Sequence, residues 1–209
     1  MIPLANMVPA NQAVSTYHLR VALLRTSPHV WRRILVRSCS SLRELHETIL
    51  CSFGWSADHP HRFLIRGRSF SNGNATTSPA LADFHFAAGE RFLYELCFQD
   101  AQALMPVWRH QVRLEKITTA EPTDSFPRCT EGRGSPPLDQ VSNPVELAHL
   151  ADLFTPRYIV HRLADLIDHN VVDSRIAEEL RHLRPWLNLR NFSSRETNRR
   201  LNRQIGARP

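Results

Sequence analysis

The chain is short of lysine, of closely spaced cysteine and of long apolar stretches, and each shortage removes a class of protein. No apolar run approaches the roughly 20 residues needed to cross a bilayer, so a membrane-spanning helix is not expected. The four cysteines are Cys39, Cys51, Cys97 and Cys129, and no two form a Cys-x-x-Cys pair. A disulfide framework is therefore disfavoured, and reduced, buried thiols are expected. Neither His-Glu-x-x-His nor Gly-x-Ser-x-Gly occurs, which leaves a zincin helix and a hydrolase elbow without support. There is no internal repeat. Residues 1–14 are apolar and proline-containing but carry no basic residue. They match a secretory leader poorly and read as a flexible arm on a cytoplasmic protein.

What is present in excess is arginine. Of the 26 basic residues only Lys116 is a lysine, and the net charge is +6 with a pI near 9.8. A guanidinium fork suits phosphate and carboxylate, so contact with nucleic acid is admissible. A genome whose base composition favours arginine codons is the competing source of the same bias. With 42% hydrophobic and 22% charged residues over 209 positions, the chain suits one domain with an appended subdomain.

Alternation predicts strands at 17–24, with Tyr17, Leu19, Val21 and Leu23 on one side, and at 31–37, with Ile34 and Val36 opposed to Trp31, Arg33 and Leu35. The turn at Ser27-Pro28 between them predicts a hairpin. Ser41 followed by Glu44 is a capping box for a helix whose apolar positions are Leu42, Leu45, Ile49 and Phe53, and Gly54 stops it. Further strands are predicted at 61–68, 91–98 and 108–117. The stretch 69–79 reads as an exposed loop and 118–142 as irregular. Beyond Asn143 the pattern is helical. Asn143-Pro144 and Thr155-Pro156 place caps before first-turn prolines, and Ser193 with Glu196 opens a last helix. One stripe joins Ile159, Leu163, Leu166 and Ile167, another Ile176, Leu180, Leu183 and Leu187. Strands first and helices last predict an α+β fold, a mainly antiparallel sheet with one helix packed on it and a C-terminal helical region. The expected division is an arm at 1–14, a core at 15–142 and a helical subdomain with a basic tail at 143–209.

Four groups of side chains invite a chemical or structural reading. His59, His61, Asp100, His110 and Cys129 offer imidazole, carboxylate and thiolate, the ligands a zinc site needs in a metal-dependent hydrolase. Against this, the five come from separate segments, and His61 and His110 fall on inward strand faces where hydrogen bonds to backbone would explain them. The structural reading is preferred, and no cofactor is expected outside the zinc alternative. Cys129 as a nucleophile would need a neighbouring base, which the sequence does not identify. Trp31, Trp55 and Trp108 are landmarks that could stack on bases or anchor the core; Trp55 and Trp108 read as core, with Trp31 open. Arg32, Arg33 and Arg37 read as one solvated strand face. Finally Arg190, Arg195, Arg199, Arg200, Arg203 and Arg208 face only Glu196 as counter-charge, the make-up of a helix that tracks phosphates or of a solvated tail.

Several motifs in order also carry a resemblance. They are Ser27-Pro28 with Trp31-Arg32-Arg33, Leu45-His46 with Ile49, Gly54-Trp55, and His59-Pro60-His61-Arg62-Phe63. Then follow Arg91-Phe92-Leu93-Tyr94-Glu95, Trp108-Arg109-His110, Leu114-Glu115-Lys116, Pro127-Arg128-Cys129, Pro136-Pro137 and Asn198-Arg199-Arg200-Leu201. Together they resemble the open-reading-frame-three family of the Ri plasmid, also described as insertion-element passenger TnpR-like. The resemblance implies a compact α+β protein encoded on plasmids and beside insertion sequences, in a family without settled biochemistry. That habitat, together with the arginine excess and the basic C-terminal helix, makes DNA or a mobile-element protein the expected partner, and no membrane association is expected. No serine-recombinase constellation accompanies it. Where the family carries Asp-Phe-Gly-Asp before Trp-x-His, this chain has Cys97-Phe98-Gln99-Asp100 and extra residues through Val107. Where it continues the double proline with acidic residues and glycines, this chain has Leu138 to Ser142. The missing carboxylates weigh against acid/base catalysis, so a non-enzymatic binding role is the leading expectation.

Overall fold

The computed structural model describes residues 15–55, 59–71, 78–96, 108–121, 123–138, 141, 143–168 and 174–205. Among these residues seven strands form a single antiparallel sheet. They are β1 (Ser15–Leu23), β2 (Trp31–Arg37), β3 (His61–Ile65), β4 (Arg68–Ser71), β5 (Arg91–Leu96), β6 (Trp108–Thr119) and β7 (Arg128–Arg133). Their order is β4-β3-β5-β6-β1-β2-β7. The helices are α1 (Leu42–Phe53), α2 (Pro144–Leu153), α3 (Pro156–Asp168), α4 (Ser174–Leu187) and α5 (Ser194–Gln204). The α+β expectation holds. The expected arm at 1–14 and the stretch 97–107 lie outside the described residues.

The local signals act as expected where they are strong. The β1–β2 hairpin runs from Ala22↔Trp31 to Thr16↔Arg37. Ser41 Oγ accepts from the Glu44 N–H at 3.2 Å while Glu44 Oε2 accepts from the Ser41 N–H at 2.7 Å, satisfying two donors at the α1 start. Gly54 closes α1 at φ 74, a conformation that L side chains with a Cβ adopt only at a steric cost. Asn143 Oδ1 accepts from Val145 and Glu146, and Ser193 Oγ accepts from the Glu196 N–H.

Three expectations are corrected. The segment 61–68 is not one strand, because Arg66 and Gly67 both take positive φ and reverse the chain into β4, which occupies part of the expected loop. Within 118–142 lies β7, an edge strand whose alternation is hidden by its bulge, by Gly132 and by the flanking Pro127 and Gly134. It pairs with β2 across a register shift between Arg33 and Ile34. On α4 Leu183 is buried as expected, but the second buried position belongs to Trp186, while Leu187 is exposed.

One face of the sheet carries the core. Leu19, Val21, Ile34, Phe63, Tyr94, Leu96, Trp108, Val112 and Leu114 pack with Leu45, Ile49 and Phe53 of α1, and Leu147, Ile159, Leu183, Trp186 and Leu201 join the same cluster. The indole N–H groups of Trp55, just past the Gly54 cap of α1, and Trp108 of β6 donate to the carbonyls of Pro137 and Val141, and both rings are buried in the core.

Candidate functional site

The core face contains a knot of polar rings. His46 of α1 stacks on His61 of β3 with centroids 3.4 Å apart, and its Nδ1 lies 2.8 Å from the Tyr94 hydroxyl. Tyr94 of β5 then meets His110 of β6 at 5.2 Å, while Phe53 and Trp55 approach His110 edge-on. Among the described residues neither ring nitrogen of His110 makes a well-formed hydrogen bond. Burial holds its pKa down to about 3, with the Tyr94 main chain a lesser opposing influence. Burial also lowers His61, against the pull of the His59 carbonyl, and raises the Tyr94 phenol well above its ordinary value. Burial thus disfavours charge on His61, Tyr94 and His110, whose rings fill space in the core.

Of the five candidate ligands, the fold brings His61 and His110 together only through Tyr94, and His59 offers a backbone carbonyl to His61. Asp100 lies outside the described residues. Cys129 sits on β7, at the opposite edge of the sheet from β3 and three strands beyond β6. Among the described residues no three His, Cys, Asp or Glu side chains could share a metal ion. Burial raises the Cys129 thiol to about 11 despite the nearby Arg32, so at neutral pH it is not a thiolate. His46 and Tyr94, named above only as parts of motifs, are the further members of the cluster. Both sit on apolar stripes already visible, His46 beside Leu45 and Ile49, Tyr94 between Phe92 and Leu96.

The expected solvated face of Arg32, Arg33 and Arg37 is also corrected. Arg32 alternates onto the core side with Ile34 and is 1% exposed. Its fork donates to the carbonyls of Ser52, Trp31, Arg133 and Gly134 at 2.7–3.2 Å. The rings of Phe53 and Phe192 lie 5.0 and 4.7 Å from its guanidinium carbon. It ties β2, β7 and the end of α1 together, a structural post.

The C-terminal arginines divide in two. Arg200 is half-buried and donates to the carbonyl of Cys51 at the end of α1, to Glu196 and to Thr197. Arg190, Arg195, Arg199 and Arg203 are exposed; Arg208 lies outside the described residues. Helix α5 is fixed by buried Leu201 and Thr197 and by Asn198, whose amide accepts from the Cys129 N–H at 2.7 Å and donates to the Cys129 carbonyl at 2.8 Å. It is a docked ridge against β7, not a loose tail.

The other face of the sheet is charged and half-open. Register sets Arg33 opposite Arg20, Arg20 opposite Arg113 and Arg113 opposite Arg91, across β2, β1, β6 and β5. The next row is Trp31, Ala22, Gln111, Leu93 and Leu64. Beyond it Glu95, 1% exposed, bridges Arg62 at 2.5 Å and Arg109 at 2.8 Å. Arg33 is ion-paired to both Glu115 and Glu131.

Comparison with known proteins fits this picture. The sequence pattern of the plasmid pRiA4b ORF-3-like proteins matches residues 15–164. A solved structure, the protein of unknown function MM3350 from Methanosarcina mazei Go1, is similar with a TM-score of 0.62 and 18% identity, over 88% of this chain and 96% of that chain. At that identity the likeness concerns the fold alone. No curated protein sequence matches, and among the described residues no helix is long and apolar enough to cross a membrane.

Proposed function

We propose that this chain, which belongs to the plasmid pRiA4b ORF-3-like family, is a non-catalytic nucleic-acid-binding accessory protein of plasmids or mobile elements, acting in the cytoplasm. The observation that carries the reading is the α5 ridge, where Arg195, Arg199 and Arg203 are exposed on a helix clamped to the core through Leu201 and Asn198. A preorganised row of forks meets phosphates with little ordering cost. The neutral, buried histidines and the high-pKa thiol of Cys129 argue against acid/base or nucleophilic work, which needs groups that titrate near working pH.

Binding of this kind is electrostatic and falls with salt, by a log–log slope of about −0.9 per phosphate neutralised on duplex DNA. Fluorescence polarisation of a labelled random duplex is expected to show micromolar or tighter binding at low salt. Arg195→Gln/Arg199→Gln/Arg203→Gln is expected to flatten the slope by about 2.7. No binding by the wild-type chain at micromolar protein, or an unchanged slope in the variant, overturns the reading.

A further inference from the structure

We propose that the open face of the sheet is a second site, separate from α5, that binds single-stranded nucleic acid. The argument begins from folding. Like charges set directly opposite on neighbouring strands destabilise a sheet, yet Arg33, Arg20, Arg113 and Arg91 make three such pairs in succession. Carboxylates relieve only one end of the row, where Glu115 and Glu131 both serve Arg33. No carboxylate of the described residues pairs with Arg20, Arg113 or Arg91, and the Nε donors of Arg20 and Arg113 are buried without an acceptor. An arrangement that costs stability in the free protein is completed by an anion.

The second row says which anion. Alongside the arginines, two residues further along the strands and so about 7 Å away, run Trp31, Ala22, Gln111, Leu93 and Leu64, with one polar side chain among them. The guanidinium carbons of Arg20 and Arg33 lie over the Trp31 ring at 4.8 and 5.7 Å, joining the charged row to the indole. A charged row beside an apolar, aromatic row matches a strand that presents phosphates on one edge and unpaired base planes on the other. A duplex hides its base planes, and an acidic peptide has none to offer Trp31. Three inter-strand steps span about 14 Å, some four nucleotides at the 3.4 Å rise of a stacked strand. The ion-paired Glu95 bounds the far side without adding an unpaired negative charge.

The test is anisotropy of a labelled oligothymidylate of about twelve nucleotides with the full chain, at about 50 and 200 mM salt. Arg20→Gln/Arg113→Gln is expected to bind at least about tenfold more weakly at low salt, with a slope flatter by about 1.4, and to melt no lower than wild type. Trp31→Leu is expected to lose at least about fivefold. In the wild-type chain the oligomer is expected to quench tryptophan fluorescence, because Trp31 is half-exposed whereas Trp55, Trp108 and Trp186 are buried. The α5 triple variant is expected to keep oligothymidylate binding while losing duplex binding, so the two sites fail separately. The proposal is overturned if the sheet double variant binds the oligomer as wild type does, if binding follows the α5 variant instead, or if no quenching accompanies binding. It is equally overturned if polyglutamate displaces the oligomer and Trp31→Leu binds normally, which would mark the face as a dock for acidic protein.

Discussion

Replacing Arg32 by methionine is the most direct probe of how this fold is held. Two effects oppose each other at that side chain. Burial pushes its pKa from 12.5 to about 10, a penalty on the charged form of about 3 kcal/mol. Against it stand four carbonyl acceptors, those of Trp31, Ser52, Arg133 and Gly134. Bonds to a charged donor contribute about 2 kcal/mol each, so the four exceed the penalty by several kcal/mol, before the contacts with Phe53 and Phe192 are added. Methionine keeps apolar bulk between the two rings but leaves the carbonyls without their donor. The expected loss is about 3 kcal/mol, and for a chain of this length a fall in melting temperature of about 6–12 °C. Urea unfolding followed by tryptophan fluorescence reads it as a lower midpoint at unchanged slope. Arg32→Lys preserves the charge but not the fork and is expected to fall nearly as far. A methionine variant as stable as wild type, or a lysine variant that keeps full stability, would refute the reasoning.

Three shorter expectations follow from the same core. His110 has a folded-state pKa near 3 against about 6.5 when unfolded; between those values only the unfolded chain takes up the proton, so stability is full above pH 6.5 and is lost as pH falls. Wild type should lose about 2 kcal/mol from this group between pH 6.5 and 5, and His110→Phe should remove that part of the loss, read by urea midpoints at both pH values; an identical acid slope in the variant would contradict the assignment. Gly132→Ala places a Cβ 2.7 Å from the Phe192 ring and should cost about 1–3 kcal/mol, partly restored in a Phe192→Leu background, as melting temperatures will show. Asn198→Asp keeps the acceptor for the Cys129 N–H but loses the donor to its carbonyl, and a drop of about 1–2 kcal/mol with raised light scattering is expected as the β7 edge is released.

The parts of this fold that could be read from sequence are those in which one local rule decides the outcome. Strand β6 alternates Trp108, His110, Val112 and Leu114 against Arg109, Gln111, Arg113 and Glu115, and its first set is buried throughout. Ser41 with Glu44, and Asn143 with the N–H groups of Val145 and Glu146 beside the first-turn Pro144, fix helix starts by hydrogen bonds within four residues. Strand β7 obeys no local rule. Only Cys129 is buried along it, its bulge breaks the period, and it exists because β2 has a free edge and Asn198 covers its outer side. Strand β4 is four residues with no buried side chain, so its only signal was the Arg66-Gly67 reversal. Arg32 is a third kind of miss. Its alternation with Ile34 and Val36 places it inward, but arginine is so seldom buried that composition overrode register; the acceptors that make burial tolerable come from Ser52, Arg133 and Gly134, which no window around Arg32 contains.

The candidate surfaces were legible in inverse proportion to their dependence on pairing. The α5 arginines repeat at helical spacing within one segment, so their ridge could be foreseen, although Arg200 turned out to serve the end of α1. The sheet-face row is assembled from four strands whose arginines are far apart in the chain, at 20, 33, 91 and 113, and only the register Arg20↔Arg33, Arg20↔Arg113 and Arg91↔Arg113 makes them neighbours. A slip of one residue in any pairing would turn that arginine toward the core. The hydrophobic alternation of Leu19 and Val21 on β1, and of Val112 and Leu114 on β6, forbids such a slip. The inner face thus dictates the outer: the apolar residues that hold the sheet on α1 also force the arginines into line, and no separate local signal for a basic surface is required or present.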